Sequence, residues 1–263
     1  MPPIAKSIAT TPTPELLLLF RAGERPGAGA VRHAVEAAGS LSISHDAAVS
    51  DGADGEPLWL ELLADGLTFD LVGIAPGPAA RGTLPAVGAQ MRNRYAVRPD
   101  FAEAAAEALS LAPGPHLRGG QSAMPLVRAQ TALGAALVRQ FPRVEAVAWV
   151  PARTLMGPAH FLAAIEAWLA GGPFPAPGLT AFRHIMGGAL QSEGLAFFTG
   201  QELHFEHVAF PDPVAATQLG LRLVNELVKH GPLTTRTAFA GPGVAPVAIE
   251  PSRNRRFLRV GRG

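Results

Sequence analysis

Two short apolar runs constrain the fold of this chain more than any other feature. Residues 15–20 read Glu-Leu-Leu-Leu-Leu-Phe, and the run over residues 144–150 carries no charge after Glu145. Continuous apolar segments of this length indicate buried central strands. A helical pattern follows each run, over residues 29–38 and over residues 158–169. The chain therefore predicts sheets with helices packed against them.

The order strand, helix, strand, hairpin occurs twice, near residues 15–75 and near residues 144–208. In the first copy, Asp65-Gly66 between two apolar segments is a strong hairpin signal. In the second, Thr199-Gly200 predicts a turn between strands over residues 194–199 and 202–208. We predict an α+β fold of mostly antiparallel sheets with helices packed on one face. One possible arrangement is two pseudo-repeated split β-α-β units, although the two halves show no repeat in sequence.

Further helices are expected at three places. An alanine-rich stretch over residues 100–111 predicts a helix that begins just after Pro99. Ser122 can cap a helix that ends near Gln140, and Asp212 can cap an amphipathic helix over residues 213–230.

The length of 263 residues suits one large domain or two small ones. We divide the chain into an N-terminal β-α-β-β-β segment, residues 1–90, and a C-terminal α+β segment, residues 91–263; the two can pack as one domain. The apolar fraction of 48% places the chain among globular proteins. A net charge of +1 gives no reason to expect nucleic acid or an anionic membrane as a partner.

The sequence also excludes several kinds of chemistry. Because cysteine is absent, the chain has no disulfide, no thiolate nucleophile and no cysteine-ligated metal. No Gly-x-Ser-x-Gly motif or phosphate-binding Walker loop occurs. No apolar run reaches 18 residues, and residues 1–14 lack the apolar core of a signal peptide, so we expect a cytoplasmic protein.

Two patches of the sequence resemble a known family. One is Val144-Glu-Ala-Val-Ala-Trp-Val-Pro151 followed by Met156-Gly-Pro-Ala-His-Phe161, and the other is Gly194-Leu-Ala-Phe-Phe-Thr-Gly-Gln-Glu-Leu-His-Phe-Glu206. Together they look like the C-terminal half of a bacterial family catalogued as domain of unknown function 4261. The resemblance covers residues 125–230. It implies a shared fold and a bacterial origin, and it assigns no activity, cofactor or site residue.

The strongest candidate site lies on one predicted strand. Glu202, His204 and Glu206 fall on one strand face, because successive side chains of a strand point to opposite sides. Spaced by about 7 Å, they could ligate a divalent metal, or a carboxylate could orient His204 as a general base. The alternative is the solvent-facing side of a half-exposed strand. No His-x-His or His-Glu-x-x-His spacing marks a metal site, so no metal ligand is assigned.

A second candidate precedes the helix that Ser122 would cap. The loop over residues 114–122 contains His116, Arg118 and a glycine pair. Glycines let backbone amides approach a ligand, and a helix N-terminus attracts anions, so the loop could bind phosphate or carboxylate. The alternative is an exposed linker between the two halves of the chain.

Two functions follow from these observations. The first is a noncatalytic protein-interaction or accessory module with a protein partner, which predicts an exposed apolar patch or a groove. The second is an enzyme or small-molecule binder, with metal dependence open, whose site lies at Glu202, His204 and Glu206 or at His116 and Arg118. Catalytic residues and cofactors stay unassigned. A homodimer is compatible with the chain, because exposed sheet edges often pair.

Overall fold

The computed structural model of the protein describes residues 14–39, 41–46, 59–74, 91–103, 106–240 and 246–262. Its principal helices are α1 (Ala28–Ala38), α2 (Met124–Gln140), α3 (Pro158–Leu169), α4 (Leu195–Thr199) and α5 (Pro213–His230). The strands are β1 (Leu16–Phe20), β2 (Ser42–Asp46), β3 (Trp59–Ala64), β4 (Leu67–Val72), β5 (Asn93–Tyr95), β6 (Glu107–Pro113), β7 (Ala146–Trp149), β8 (Thr154–Met156), β9 (Ala181–His184), β10 (Leu190–Glu193), β11 (Glu202–Phe205), β12 (Thr237–Phe239), β13 (Val247–Pro251) and β14 (Phe257–Arg262). Within the described ranges, no helix is both long enough and apolar enough to cross a membrane.

Among the described residues, the first sheet has eight strands in the order β2-β3-β4-β6-β1-β7-β8-β5. Strand β1 lies near its middle, antiparallel to β6 and β7, and all five of its residues are buried. The prediction of a buried central strand over residues 15–20 is therefore confirmed. The two apolar runs are direct neighbours, since Leu18 pairs with Val147.

The second sheet contains six of the described strands, in the order β12-β13-β14-β11-β10-β9. Its neighbours are antiparallel except β11 and β14, which run parallel with Leu203 opposite Leu258. Together with the helices, the two mostly antiparallel sheets confirm the predicted α+β class.

A continuous apolar core joins the two sheets through the helices. Residues of both sheets, such as Leu18 and Leu203, belong to one cluster of buried side chains. In that core Gln130 of α2 is fully buried, and its Nε2 donates hydrogen bonds to the carbonyls of Pro14 (2.5 Å) and Leu111 (2.9 Å). This side chain ties α2 to β6 and to the backbone just before β1. The first sheet takes strands from both sides of residue 90.

Several predicted local structures are confirmed. Strands β3 and β4 form a hairpin around Asp65 and Gly66, both in the left-handed backbone region. Helix α5 has the predicted bounds, and Asp212 caps it by accepting hydrogen bonds from the amides of Val214 (2.9 Å) and Ala215 (3.3 Å).

The helix predicted over residues 100–111 is wrong. Residues 107–113 form β6, a mostly buried strand between β4 and β1. The alanines of this stretch favour a helix by local propensity, but pairing along both edges of a sheet overrides that preference. Ser122 is also not the cap of the following helix: Ala123 holds that position, and no side chain caps it.

The predicted strand over residues 194–199 is wrong as well. Leu195–Thr199 forms the short helix α4, and β11 pairs with β10 and β14 instead. Gly194 (φ 90°) and Gly200 (φ 76°) flank α4, and both adopt the left-handed conformation that glycine tolerates best. The Thr199-Gly200 turn is therefore the end of a helix, not the tip of a hairpin.

Candidate functional site

The carboxylate of Glu202 has a structural task. Its Oε1 accepts hydrogen bonds from the backbone amides of Gly194 (2.9 Å) and Ala196 (3.0 Å), and its Oε2 accepts one from the hydroxyl of Ser192. That hydroxyl in turn accepts a bond from the amide of Leu203 (2.7 Å). Glu202 thus satisfies the amides at the start of α4 and joins this short helix to β10 and β11.

Burial sets the ionisation of this carboxylate. Desolvation raises the pKa of Glu202 above its ordinary value, and the hydrogen bonds from Ser192, Ala196 and Gly194 oppose the increase without cancelling it. A carboxylate held in this way points into the protein and is occupied by its donors, so it is not available to a metal ion or a substrate.

Glu202, His204 and Glu206 do not come together. His204 lies on β11 on the same strand face as Glu202, whereas Glu206 lies beyond the end of β11 and is exposed. Among the residues that the structure describes, no group of three His, Cys, Asp or Glu side chains could hold a metal ion.

His204 lies at a concave part of the outer face of the second sheet. A pocket of about 240 Å³ is lined there by Gln191, His204, Ser252, Phe257 and Arg259. Gln191 and Arg259 are the cross-strand partners of His204 on β10 and β14. The sequence does not predict that Gln191 and Arg259 lie beside His204, because the alternation within one strand does not show which strands pair with it.

His116 and Arg118 lie at the first sheet. Both belong to a 3₁₀ helix, Pro115–Gly120, which begins directly after β6. One ring nitrogen of His116, Nε2, lies 3.3 Å from the hydroxyl of Thr68 on β4. The side chains of His116 and Arg118 are both exposed beside β4, and the two candidate sites lie at different sheets.

Next to His116 and Arg118, two carboxylates face each other across strands. Glu61 of β3 pairs with Asp70 of β4, and Glu61 accepts a hydrogen bond from Ser44 of β2 (2.7 Å). Burial raises the pKa of Asp70, and the Glu61 carboxylate raises it further, while Arg118 and His116 partly offset both effects. Arg118 and His116 therefore lie close enough to Asp70 to favour its charged form.

An apolar groove lies at the far edge of the second sheet. It has a volume of about 230 Å³ and runs between the end of α5 and strands β12 and β13; we call it the α5–β12 groove. Leu223 and Leu227 of α5 line one wall, and Phe239 of β12 and Ile249 of β13 line the other. At its mouth, Glu226 and His230 approach within 3.4 Å of each other.

Strand β12 forms one end of the second sheet. It pairs with β13 on one side, and among the described strands nothing pairs with its other side. Thr237 and Ala238 are exposed. As far as the structure describes the chain, this edge therefore leaves backbone donors and acceptors unpaired beside an apolar groove.

Comparison of the chain with family models, with curated proteins and with solved structures finds no match. The similarity of residues 125–230 to domain of unknown function 4261 stays a prediction.

Proposed function

We propose that this chain is a noncatalytic bacterial interaction module of the cytoplasm that binds an extended segment of a partner protein in the α5–β12 groove. The observation that carries this proposal is the combination of an open strand edge and an apolar groove at one place. Edge strands bind peptides by strand addition: backbone hydrogen bonds give affinity, and a neighbouring pocket selects the side chains.

The residues around the groove suggest the character of the partner segment. Lys229 and Arg236 do not line the groove, but each is next in sequence to a lining residue, His230 and Thr237 respectively. Both are exposed, and neither forms an ion pair among the described residues. An acidic segment would complement these two cations, and apolar side chains at alternate positions would enter the groove.

A catalytic function has less support. The carboxylate of Glu202 is occupied by Ser192, Gly194 and Ala196, so it cannot serve His204 as an orienting partner. At the first sheet, His116 and Arg118 lie near Asp70 and partly offset the increase of its pKa, and no nucleophile is identified beside them.

The proposal is tested by selecting peptides from a random phage-displayed library against the full chain. We expect acidic peptides with alternating apolar residues, whose affinity is then measured by fluorescence anisotropy. Ala238→Glu places a negative charge on the exposed edge of β12. It should weaken binding of an acidic peptide about tenfold or more, because a contact between like charges across an interface costs at least about 1.4 kcal/mol.

Ala163→Glu is the matched control, since it adds the same charge at an exposed position of α3 away from the groove. Equal affinity of wild type and Ala238→Glu, or equal weakening by both variants, would contradict the proposal. Binding of the chain to a second copy of itself through β12, with no peptide selected, would contradict it too.

A further inference from the structure

A row of polar side chains crosses the outer face of the second sheet. The strand registers place Arg183 beside Gln191, Gln191 beside His204, His204 beside Arg259, and Arg259 beside Glu250. Side chains that are directly opposite on neighbouring strands lie on the same face with their Cβ atoms about 5 Å apart. Residues distant in sequence are thus assembled into one continuous strip.

The polar groups at the centre of this strip have no partner among the residues that the structure describes. Within the described part of the chain, the side chains of Gln191, His204 and Arg259 form no hydrogen bond and no ion pair, and the Nε of Arg183 is buried without a partner. Buried donors without a partner are unusual, because each one costs desolvation energy that folding does not return.

The carboxylates that could neutralise the strip are mostly bound elsewhere. Glu202 is held by the amides at the start of α4, and Glu193 lies 3.5 Å from Arg153 and accepts a hydrogen bond from Asn93. Glu250 neighbours Arg259 in register, but the two form no ion pair. With Arg183, Arg259 and Glu250, the strip therefore carries a net positive charge.

A concave site coincides with the middle of the strip. Gln191, His204 and Arg259 line the pocket of about 240 Å³ together with Ser252 and the ring of Phe257. This volume is smaller than the roughly 300–1,000 Å³ of sites for drug-sized ligands, so it suits a small molecule. Arginine and amide donors match the geometry of carboxylate and phosphate oxygens.

We infer that this pocket binds a small organic anion whose carboxylate or phosphate oxygens are held by Arg259, His204 and Gln191, while Phe257 contacts its organic part. The site is separate from the α5–β12 groove, so each proposal can fail without the other.

The test is isothermal titration calorimetry of the full chain with inorganic phosphate and with citrate, each at the same ionic strength, adjusted with sodium chloride. The two arms distinguish a phosphate ligand from a carboxylate ligand. We expect saturable binding in at least one arm. Arg259→Gln should weaken it about tenfold or more, since one hydrogen bond from a charged donor is lost, and His204→Leu should also weaken it.

Arg143→Gln is the matched control, because Arg143 is exposed and lies just before β7 in the first sheet, away from the pocket. Arg259 is exposed too, so its substitution should leave the fold intact, which the melting temperature verifies. No saturable binding of either anion, or equal weakening by Arg143→Gln and Arg259→Gln, would overturn the inference.

Discussion

At the scale of single residues, Glu202 shows that the strand face of a side chain does not determine its hydrogen-bond partners. Its position two residues before His204 suggests a shared polar site, and the two side chains do begin on one strand face. The carboxylate of Glu202 instead turns toward Ser192 and α4. Strand alternation predicts the face on which the Glu202 side chain lies. It does not predict the hydrogen-bond donors of that side chain, because two of them are amides at the start of α4, where the sequence predicts a strand.

Removal of the Glu202 carboxylate should destabilise the fold. Glu202→Ala leaves the amides of Gly194 and Ala196 without an acceptor and should lower the free energy of unfolding by about 2–3 kcal/mol at pH 7, the usual cost of unsatisfied buried groups. Glu202→Gln retains one acceptor oxygen and should lose less than half as much. Urea denaturation measures both, and equal losses in the two variants would contradict the capping role.

The carboxylate pair of Glu61 and Asp70 gives a prediction with a defined pH dependence. Because the folded-state pKa of Asp70 is raised above 3.8, the folded protein holds that proton more tightly than the unfolded chain does. The free energy of unfolding therefore falls as pH rises through the interval between the two pKa values.

Asp70→Asn removes the charge that lowers the free energy of unfolding as pH rises. At pH 7 the variant should be more stable than wild type by about 0.5 kcal/mol, within the range for like charges directly opposite on neighbouring strands. Well below pH 3.8 the difference between the two proteins should vanish. Urea denaturation over a pH series measures the effect, and a variant less stable than wild type at pH 7 would refute it. Glu36→Gln, which removes an exposed carboxylate of α1 and leaves the pair unchanged, is the control and should not show this pH-dependent gain.

At the scale of elements, proline and glycine at helix ends are accurate local signals. Helices α3 and α5 have the predicted bounds, since proline stands at the start of each and glycine follows the end. Strand β6 was missed because its central place in the sheet depends on pairing with β1 and β4, which are remote in sequence. Helix α4 was missed because the glycines at its ends also fit a turn.

Helix α5 forms one wall of the α5–β12 groove, so its N-terminal cap is worth testing. Asp212→Ala should lower the free energy of unfolding by about 1 kcal/mol and the melting temperature by about 2–4 °C. Asp212→Asn keeps a side-chain oxygen for the amides of Val214 and Ala215 and should retain most of the stability. Calorimetry compares the three proteins, and an unchanged melting temperature in Asp212→Ala would show that the cap contributes nothing.

At the scale of the whole molecule, the structure combines one shared core with two separate surfaces on the second sheet. The core joins both sheets, so residues on either side of position 90 depend on each other's burial. The outer face of the second sheet carries the pocket lined by His204 and Arg259, and the β12 edge lies beside the α5–β12 groove. The sequence indicates strands or edge pieces over residues 236–240, 247–250 and 257–260, but not their order in the sheet, because that order depends on pairing between strands.

The central claim is that a partner segment joins the second sheet beside β12. Hydrogen exchange of the full chain with and without a selected peptide tests it most directly. We predict slower exchange of those amides of Thr237–Phe239 that β13 does not bind, together with slower exchange near Leu227 at the end of α5. Tight peptide binding that leaves the exchange of β12 unchanged would contradict the account.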